Sequence, residues 1–584
     1  MPVLEETLAL AEQAFTEGDY AAAAIALDEV LRIDPDNCQG LCNAGYLAYL
    51  RGDFRLAEDL LSRGAEVHSH YAPMLNNLGL LRQAQRSLEE AESCYRSAVA
   101  LDANDPLAMA NLGSLLLLRG AVSESTTLLQ SAMRIAPDNP SVLNAFALCR
   151  QEVADTQTAS RLFLRAWELA PARLELRNNW LMSLLYEPVA NSRTFQEADR
   201  KAFGKRRVDH YVDRAEGSAP VGSESPLRRI GFLSADLYHH PVGLIIERML
   251  EGLATVGVTP FFYAPEAPRD AVGEAISSAG VWRETRGLDD AHLARLIADD
   301  KLDALLDLSG LTAGSRSGVF SYRPSPRQIA WLGLPASSGS ADADGVLIAS
   351  DLLGSHGDSF FNEPVLRIDA PPFLLPRFSD APPVAALPAL ANGFLTFACF
   401  NNPAKLNDDC LAVWAGVLRH APRSELLIKH RSAIDLAYQS HLRQRFATEG
   451  IASTRIRFAG ASSHTQMLEE YAGVDIALDP YPFNGGMTTM EALWMGVPVL
   501  TLAGLRPVSR QGLAILRAAD LGDWVHDSPA EMWRAATEWS NDLNALKDLR
   551  AGMRSRLEES ALGDAPAYAN ALVQALQQMP ANKA

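Results

Sequence analysis

Asp475–Thr501 reads DIALDPYPFNGGMTTMEALWMGVPVLT. An apolar strand, Ile476–Leu478, ends at Asp479, and a Pro/Asn/Gly loop runs from Pro480 to Gly486. Thr488 and Thr489 then open an amphipathic run that carries Glu491, and a second strand begins at Pro498. Strand, glycine turn, helix and strand is the repeating unit of an α/β sheet, with the helix start at the carboxyl end of the strand. The first N–H groups of such a helix have no intrahelical partner, and its dipole favours negative charge there. Glu491, one turn in, suits ribose hydroxyls, because an ionised acid accepts two hydrogen bonds. The stretch therefore points to a nucleoside diphosphate seated on a helix N-terminus.

The same alternation extends on both sides. Arg229–Ser234, Thr259–Tyr263 and Ala304–Leu308 are short apolar runs bounded by turns, with amphipathic stretches such as Leu288–Asp299 between them. A proline-rich connection, Pro371–Asn392, interrupts the series. It resumes with Phe394–Phe400, Glu425–Ile428, Arg455–Ala459, Asp475–Leu478 and Pro498–Leu502. Two Rossmann-like lobes with parallel sheets are expected, at 227–385 and 392–575, with ligands outside the carboxyl ends of the strands.

Upstream the pattern is different. Between Leu4 and Arg173 the sequence repeats every 34 residues, the tetratricopeptide period, in five units cut at Cys38, Ala72, Pro106, Pro140 and Leu174. The eighth position is small (Ala11, Gly45, Gly79, Gly113, Ala147), and so is the twentieth (Ala23, Ala57, Ala91, Ser125, Ala159). Small residues there let the two helices of a unit cross closely, giving an α-solenoid over 4–173. The sixth position reads Asn43, Asn77, Asn111, Ala145 and, in a partial sixth unit, Asn179. Those amides either clamp the backbone of an extended peptide on a concave face or tie neighbouring repeats together. A helical extension and linker covers 174–226 and ends in the polar run Glu216–Ser225.

At 584 residues, 48% hydrophobic and 21% charged, the chain is of ordinary globular composition. Its formal charge of −19 argues against general nucleic-acid binding. No apolar run reaches membrane-spanning length, the first residues read as acidic and amphipathic rather than as a signal sequence, and six cysteines without zinc-like spacing read as reduced thiols of a cytoplasmic protein.

The opening block also resembles the nucleotide-sugar site of the O-linked N-acetylglucosamine transferase family, glycosyltransferase family 41. Asp479, Pro482, Asn484, Gly485, Thr488, Thr489, Glu491, Ala492, Leu493, Trp494, Gly496 and Pro498 carry the match. Further stretches agree in order. Ser234–Gly243 (SADLYHHPVG) resembles S-x-D-x-x-x-H-P-V-G, and Arg323–Gly339 (RPSPRQIAWLGLPASSG) resembles the W-L-G-x-P signature. Phe400–Lys405 (FNNPAK) resembles F-N-x-x-x-K, and Arg457–His464 (RFAGASSH) resembles the base-recognition loop. The whole chain looks like a compact bacterial member of the family, repeats first and catalytic lobes of the GT-B fold second.

The resemblance implies an inverting protein O-glycosyltransferase that moves a sugar, foremost N-acetylglucosamine from UDP-N-acetylglucosamine, to Ser or Thr of proteins held by Asn43, Asn77, Asn111 and Asn179. By the same carry-over Lys405 neutralises the departing diphosphate without a divalent metal or other cofactor. His240 orients the acceptor or takes its proton, with Asp270 a weaker base candidate. Gly333 and Pro335 lie against the donor sugar, or only order their loop. Asn402, Gly485, Gly486, Thr488 and Thr489 surround the phosphates, Glu491 the ribose, and Ser462, His464 and Met467 the base. Two family histidines are replaced, by Met487 in the glycine turn and by Met467 where a ring stacks on the base. Methionine packs on a flat ring but donates no hydrogen bond. Other donors (GDP-fucose or UDP-glucose), and a repeat adaptor with a vestigial nucleotide pocket, therefore stay open.

Overall fold

The computed structural model describes residues 2–187 and 226–579; the expected linker Glu216–Ser225 lies outside them. The N-terminal part is five antiparallel helix pairs: α1 (Pro2–Glu17) with α2 (Tyr20–Ile33), α3 (Cys38–Leu50) with α4 (Phe54–Val67), α5 (Ala72–Ala84) with α6 (Leu88–Leu101), α7 (Pro106–Leu118) with α8 (Val122–Ile135), and α9 (Pro140–Glu152) with α10 (Thr156–Leu169). A further helix, α11 (Leu174–Leu185), follows. The small columns have a direct steric cause. A Cβ on Gly45, Gly79 or Gly113 would stand 2.5 Å from Leu61, 2.5 Å from Tyr95 or 2.7 Å from Leu129, in each case a side chain of the paired helix. The other small column, Ala23, Ala57, Ala91, Ser125 and Ala159, is wholly buried, and the Ser125 hydroxyl donates to Gly113 O at 2.7 Å. Acid and amide side chains start the helices: Asp19, Asn37, Asp53 and Asp105 each accept a first-turn N–H.

The chain forms two compact units, one reaching Glu152 and one running from Pro171, with α10 divided between them. The second unit holds two parallel sheets. The first contains β1 (Arg229–Leu233), β2 (Thr259–Ala264), β3 (Val281–Glu284), β4 (Ala304–Asp307), β5 (Gln328–Ala330), β6 (Gly345–Ala349) and β7 (Val365–Ile368), in spatial order β3-β2-β1-β4-β5-β6-β7. The second contains β8 (Thr396–Cys399), β9 (Glu425–Lys429), β10 (Ile456–Ala459), β11 (Ile476–Leu478), β12 (Val499–Leu502) and β13 (Val525–His526), in order β10-β9-β8-β11-β12-β13. Both orders reverse direction beside the first strand of the sheet, at β1/β4 and β8/β11, which is where doubly wound sheets open a crevice. Strands β4, β6, β8 and β12 are buried along their whole length, as helices on both faces require.

The lobe boundaries expected at 385 and 575 both move. Leu374 is buried in the first lobe's core and its neighbour Leu375 in the second's, so the chain crosses near the start of the proline-rich connection rather than near its end. The helix Ala565–Gln578 crosses back. Ala565, Tyr568, Ala569, Leu572, Ala575 and Leu576 are buried in the first lobe's core. The fit is close: a Cβ on Gly252 would lie 2.1 Å from Ala565 O. The buried Arg327 donates from Nε to Met579 O at 2.8 Å. All six cysteines are free thiols, and among the described residues no helix is long and apolar enough to cross a membrane.

Candidate nucleotide-sugar site

Strand β11 ends one residue before Asp479, and the helix Met487–Trp494 starts after Gly486 with no side-chain cap. Its first turn therefore leaves N–H groups available to an outside anion. The turn between them is held from below by Asp479, which is buried and accepts Gly485 N–H at 2.6 Å and the Thr501 hydroxyl at 3.1 Å. Burial raises its carboxyl to about 7, with Lys405 pulling the other way. Glycine is required at 485: a Cβ there would stand 2.7 Å from both Thr488 Oγ1 and Thr489 Oγ1, and 3.1 Å from Asp479 Oδ1.

Lys405 enters from the end of β8. Its Nζ donates to Asn484 O at 2.8 Å and to Asn401 Oδ1 at 3.2 Å, and lies 4.5 Å from the centroid of Phe483. The ammonium is held away from water, which lowers its pKa to about 8 despite the opposing pull of Asp479. Asn401 Oδ1 also accepts the Thr488 hydroxyl at 3.0 Å, so one amide oxygen joins the lysine to the helix start. Asn402, expected near the phosphates, is exposed, and its side-chain oxygen caps the short turn after β8 by accepting Ala404 N–H at 3.0 Å. The buried neighbour Asn401 faces the site instead.

Glu491 is buried and accepts from His464 Nε2 at 3.0 Å, so the expected ribose and base residues form one pair. That bond raises the His464 pKa. Ser462 is exposed and donates to Glu470 at 2.9 Å, and Met467 is half-buried against the second lobe's core. Met487 packs against the cores of both lobes, and Phe373 lies beside Gly486. The His239 ring meets His464 edge-on at 5.3 Å, so the two lobes meet around this helix start.

In the first lobe His240 is the N-cap of the helix Pro241–Thr255, its Nδ1 accepting Val242 N–H at 3.4 Å. Asp236 lies 3.9 Å from the same nitrogen, and partial burial lowers the ring's pKa. Asp270 caps the next helix and accepts His239 N–H at 2.7 Å, so its carboxylate is spent on backbone groups. Gly333 packs against the end of β4: a Cβ would lie 2.7 Å from Leu308 O and 2.8 Å from Ser309 O. Leu332 takes φ +71° and closes a three-residue turn, Gly333 N–H to Trp331 O at 2.9 Å, a strained geometry for a leucine. Pro335, two residues on, is buried. In the solenoid, Asn77 donates to Cys42 Sγ at 3.2 Å and Asn111 to Asn76 Oδ1 at 2.9 Å. These two amides tie each repeat to the one before it; Asn43 and Asn179 are half-buried. Among the described residues no group of three or more His, Cys, Asp or Glu side chains is arranged to hold a metal ion.

Two parallel-sheet lobes that meet around an open helix start, following a tetratricopeptide solenoid in sequence, are the architecture of a repeat-bearing glycosyltransferase. The model of glycosyl transferase family 41 matches residues 218–356 and 386–572, more than half of the chain, and a tetratricopeptide model matches 72–105. The chain belongs to glycosyl transferase family 41. It is similar to a solved O-GlcNAc transferase mutant of Thermobaculum terrenum, 26% identical, with 99% of this chain and 97% of that one covered and a TM-score of 0.67. A protein of Hordeum vulgare described as a probable UDP-N-acetylglucosamine–peptide N-acetylglucosaminyltransferase SPINDLY is 28% identical over 423 residues, 70% of this chain and 44% of that protein. Its Arabidopsis thaliana counterpart of the same description is 31% identical over 363 residues, 60% and 39%. The chain thus spans less than half the length of these curated relatives.

Proposed function

We propose that this protein is an inverting protein O-glycosyltransferase, with UDP-N-acetylglucosamine as the foremost donor and Ser or Thr hydroxyls of proteins as acceptors. One observation carries the reading: Lys405, Asn401 and Thr488 converge on the open first turn of the helix Met487–Trp494. In the reaction an acceptor hydroxyl oxygen bonds to the anomeric carbon from the face opposite the diphosphate. The bond from that carbon to the β-phosphate oxygen breaks, UDP leaves with the electron pair, and the hydroxyl proton passes to a phosphate oxygen of the departing UDP or to solvent. Charge grows on the β-phosphate, where Lys405 and the helix N–H groups stabilise it in a site shielded from water. These groups supply the positive charge, so the reading requires no divalent metal.

His240 suits orientation better than proton abstraction. With Nδ1 accepting Val242 N–H, the neutral ring carries its proton on Nε2, which then donates rather than accepts. Acceptor peptides are assigned to the solenoid, where Asn43, Asn77, Asn111 and Asn179 remain the proposed contacts. A second reading keeps the chemistry and changes the donor to GDP-fucose or UDP-glucose. Met467 and Met487 favour it, since neither side chain can donate to a phosphate, sugar or base.

Calorimetric titration with UDP and GDP, on the wild type and on Lys405→Ala, tests the site. UDP binding that weakens in the variant, followed by sugar transfer from UDP-N-acetylglucosamine to peptides detected by mass, supports the leading reading. Preference for GDP moves the donor to fucose, and binding of neither nucleotide at millimolar concentration leaves the adaptor.

A further inference from the structure

The surroundings of Lys405 continue outward to a helix that is no part of the nucleotide site. The last turn of α11 ends against the second lobe. There Arg506, 3% exposed, donates to three main-chain carbonyls: Leu184 O at 3.2 Å, Leu185 O at 3.4 Å and Glu187 O at 2.6 Å. Asn407 Nδ2 reaches Tyr186 O at 3.3 Å. The final carbonyls of a helix lack intrahelical partners and carry its negative end, so a guanidinium is well matched to them. The match is unusual in depth: Arg506 Nε is buried with no partner, and burial lowers the group's pKa to about 10.

Two routes lead from this cap to Lys405. The Tyr186 ring lies 5.1 Å from that of Phe483, and Phe483 presents its face to the Lys405 ammonium. Beyond Arg506, Val508 O accepts Asn484 N–H at 3.0 Å and Gln511 Nε2 donates to Asn484 O at 3.2 Å. That Asn484 carbonyl is also the nearer of the two acceptors of Lys405. We infer that the C-terminus of α11 positions the lysine of the donor site: Tyr186 and Arg506 are positioning residues that act through Phe483 and Asn484. Loosening the last turn of α11 then changes both where the ammonium points and how much water reaches it. This inference rests on Lys405 being the partner of the leaving diphosphate.

The test is calorimetric titration of the full chain with the tighter-binding of UDP and GDP, from about pH 6.5 to about pH 10, a span that brackets the shifted lysine and a midpoint about one pH unit above it. In the wild type, affinity is lost as Lys405 deprotonates. Tyr186→Ala admits water to the Phe483 face, so the alkaline midpoint rises by about one pH unit and affinity near neutral pH falls by about threefold to tenfold. Tyr186→Phe, which keeps the ring, shifts the midpoint by less than Tyr186→Ala does. Tyr186→Leu keeps most of the buried volume and serves if the alanine variant does not fold; it shifts the midpoint in the same direction. A Tyr186→Ala or Tyr186→Leu protein that melts lower but keeps the wild-type midpoint and affinity overturns the inference while leaving the proposed function standing. Lys405→Ala binding as tightly as wild type overturns both.

Discussion

An ammonium has three N–H bonds, and Lys405 directs two of them at protein oxygens, Asn401 Oδ1 and Asn484 O. The third is the one that the proposed role assigns to a phosphate oxygen. Lys405→Ala is expected to lower kcat by about 100-fold to 1000-fold, as loss of a charge-stabilising donor does elsewhere. Lys405→Arg does not restore it, because a planar fork cannot occupy the seat of a tetrahedral ammonium over Phe483. On the proposed role, in which the charged form holds the diphosphate, affinity is expected to be full below the lysine's pKa of about 8 and lost as pH rises through it. Asn401→Ala removes the acceptor shared by Lys405 and Thr488 and should weaken UDP binding by about fivefold to thirtyfold in calorimetry, whereas Asn402→Ala loses only a turn cap. The two asparagines are adjacent and chemically identical, so the sequence can place the pair but not choose between them. The backbone turn at Pro403 aims one inward and the other at solvent. The role of Asp479 is not legible for a related reason: the sequence marks it as a strand end, and only the folded turn brings Gly485 N–H onto it. His464 and Glu491 are legible separately, but their bond is not. An NMR titration of His464 should show a midpoint above the ordinary 6.5 that falls back in Glu491→Gln, because the partner that favours the protonated ring is gone.

At the scale of elements, the unit from β11 through the helix Met487–Trp494 to β12 is legible almost residue for residue. Its apolar runs are short and its punctuation is unambiguous: a proline–glycine loop, two threonines, then Gly496 and Pro498. Strands β3, β5, β6, β7 and β13 are not among the runs read from the sequence, since two to five residues give little period to recognise. The solenoid is readable for the opposite reason, since the same steric demand recurs at each unit. Gly485→Ala tests how tightly the turn is built. Its Cβ must displace two threonine hydroxyls and crowd a buried carboxylate, so the variant should lose UDP binding and about 1–3 kcal/mol of stability, read by calorimetry and by denaturant unfolding. The tyrosine and carbonyl contacts at the end of α11 were invisible in sequence, because they join residues some three hundred positions apart.

For the whole molecule, the sequence assigns 392–575 to the second lobe and so does not show which lobe the helix Ala565–Gln578 joins. It follows the second lobe in sequence and completes the first in space. Leu572→Asp places a charge in that core and should destabilise the first lobe by about 3–5 kcal/mol, seen as a lower melting temperature and early proteolysis between β1 and β7. A double crossing also sets an order in time. During synthesis the strands β1 to β7 leave the ribosome first, yet the helix that seals them arrives only after the entire second lobe has been made. Until then the first lobe keeps an apolar face uncovered, so the two lobes mature together and a chain interrupted between them is a candidate for chaperones rather than a half-enzyme.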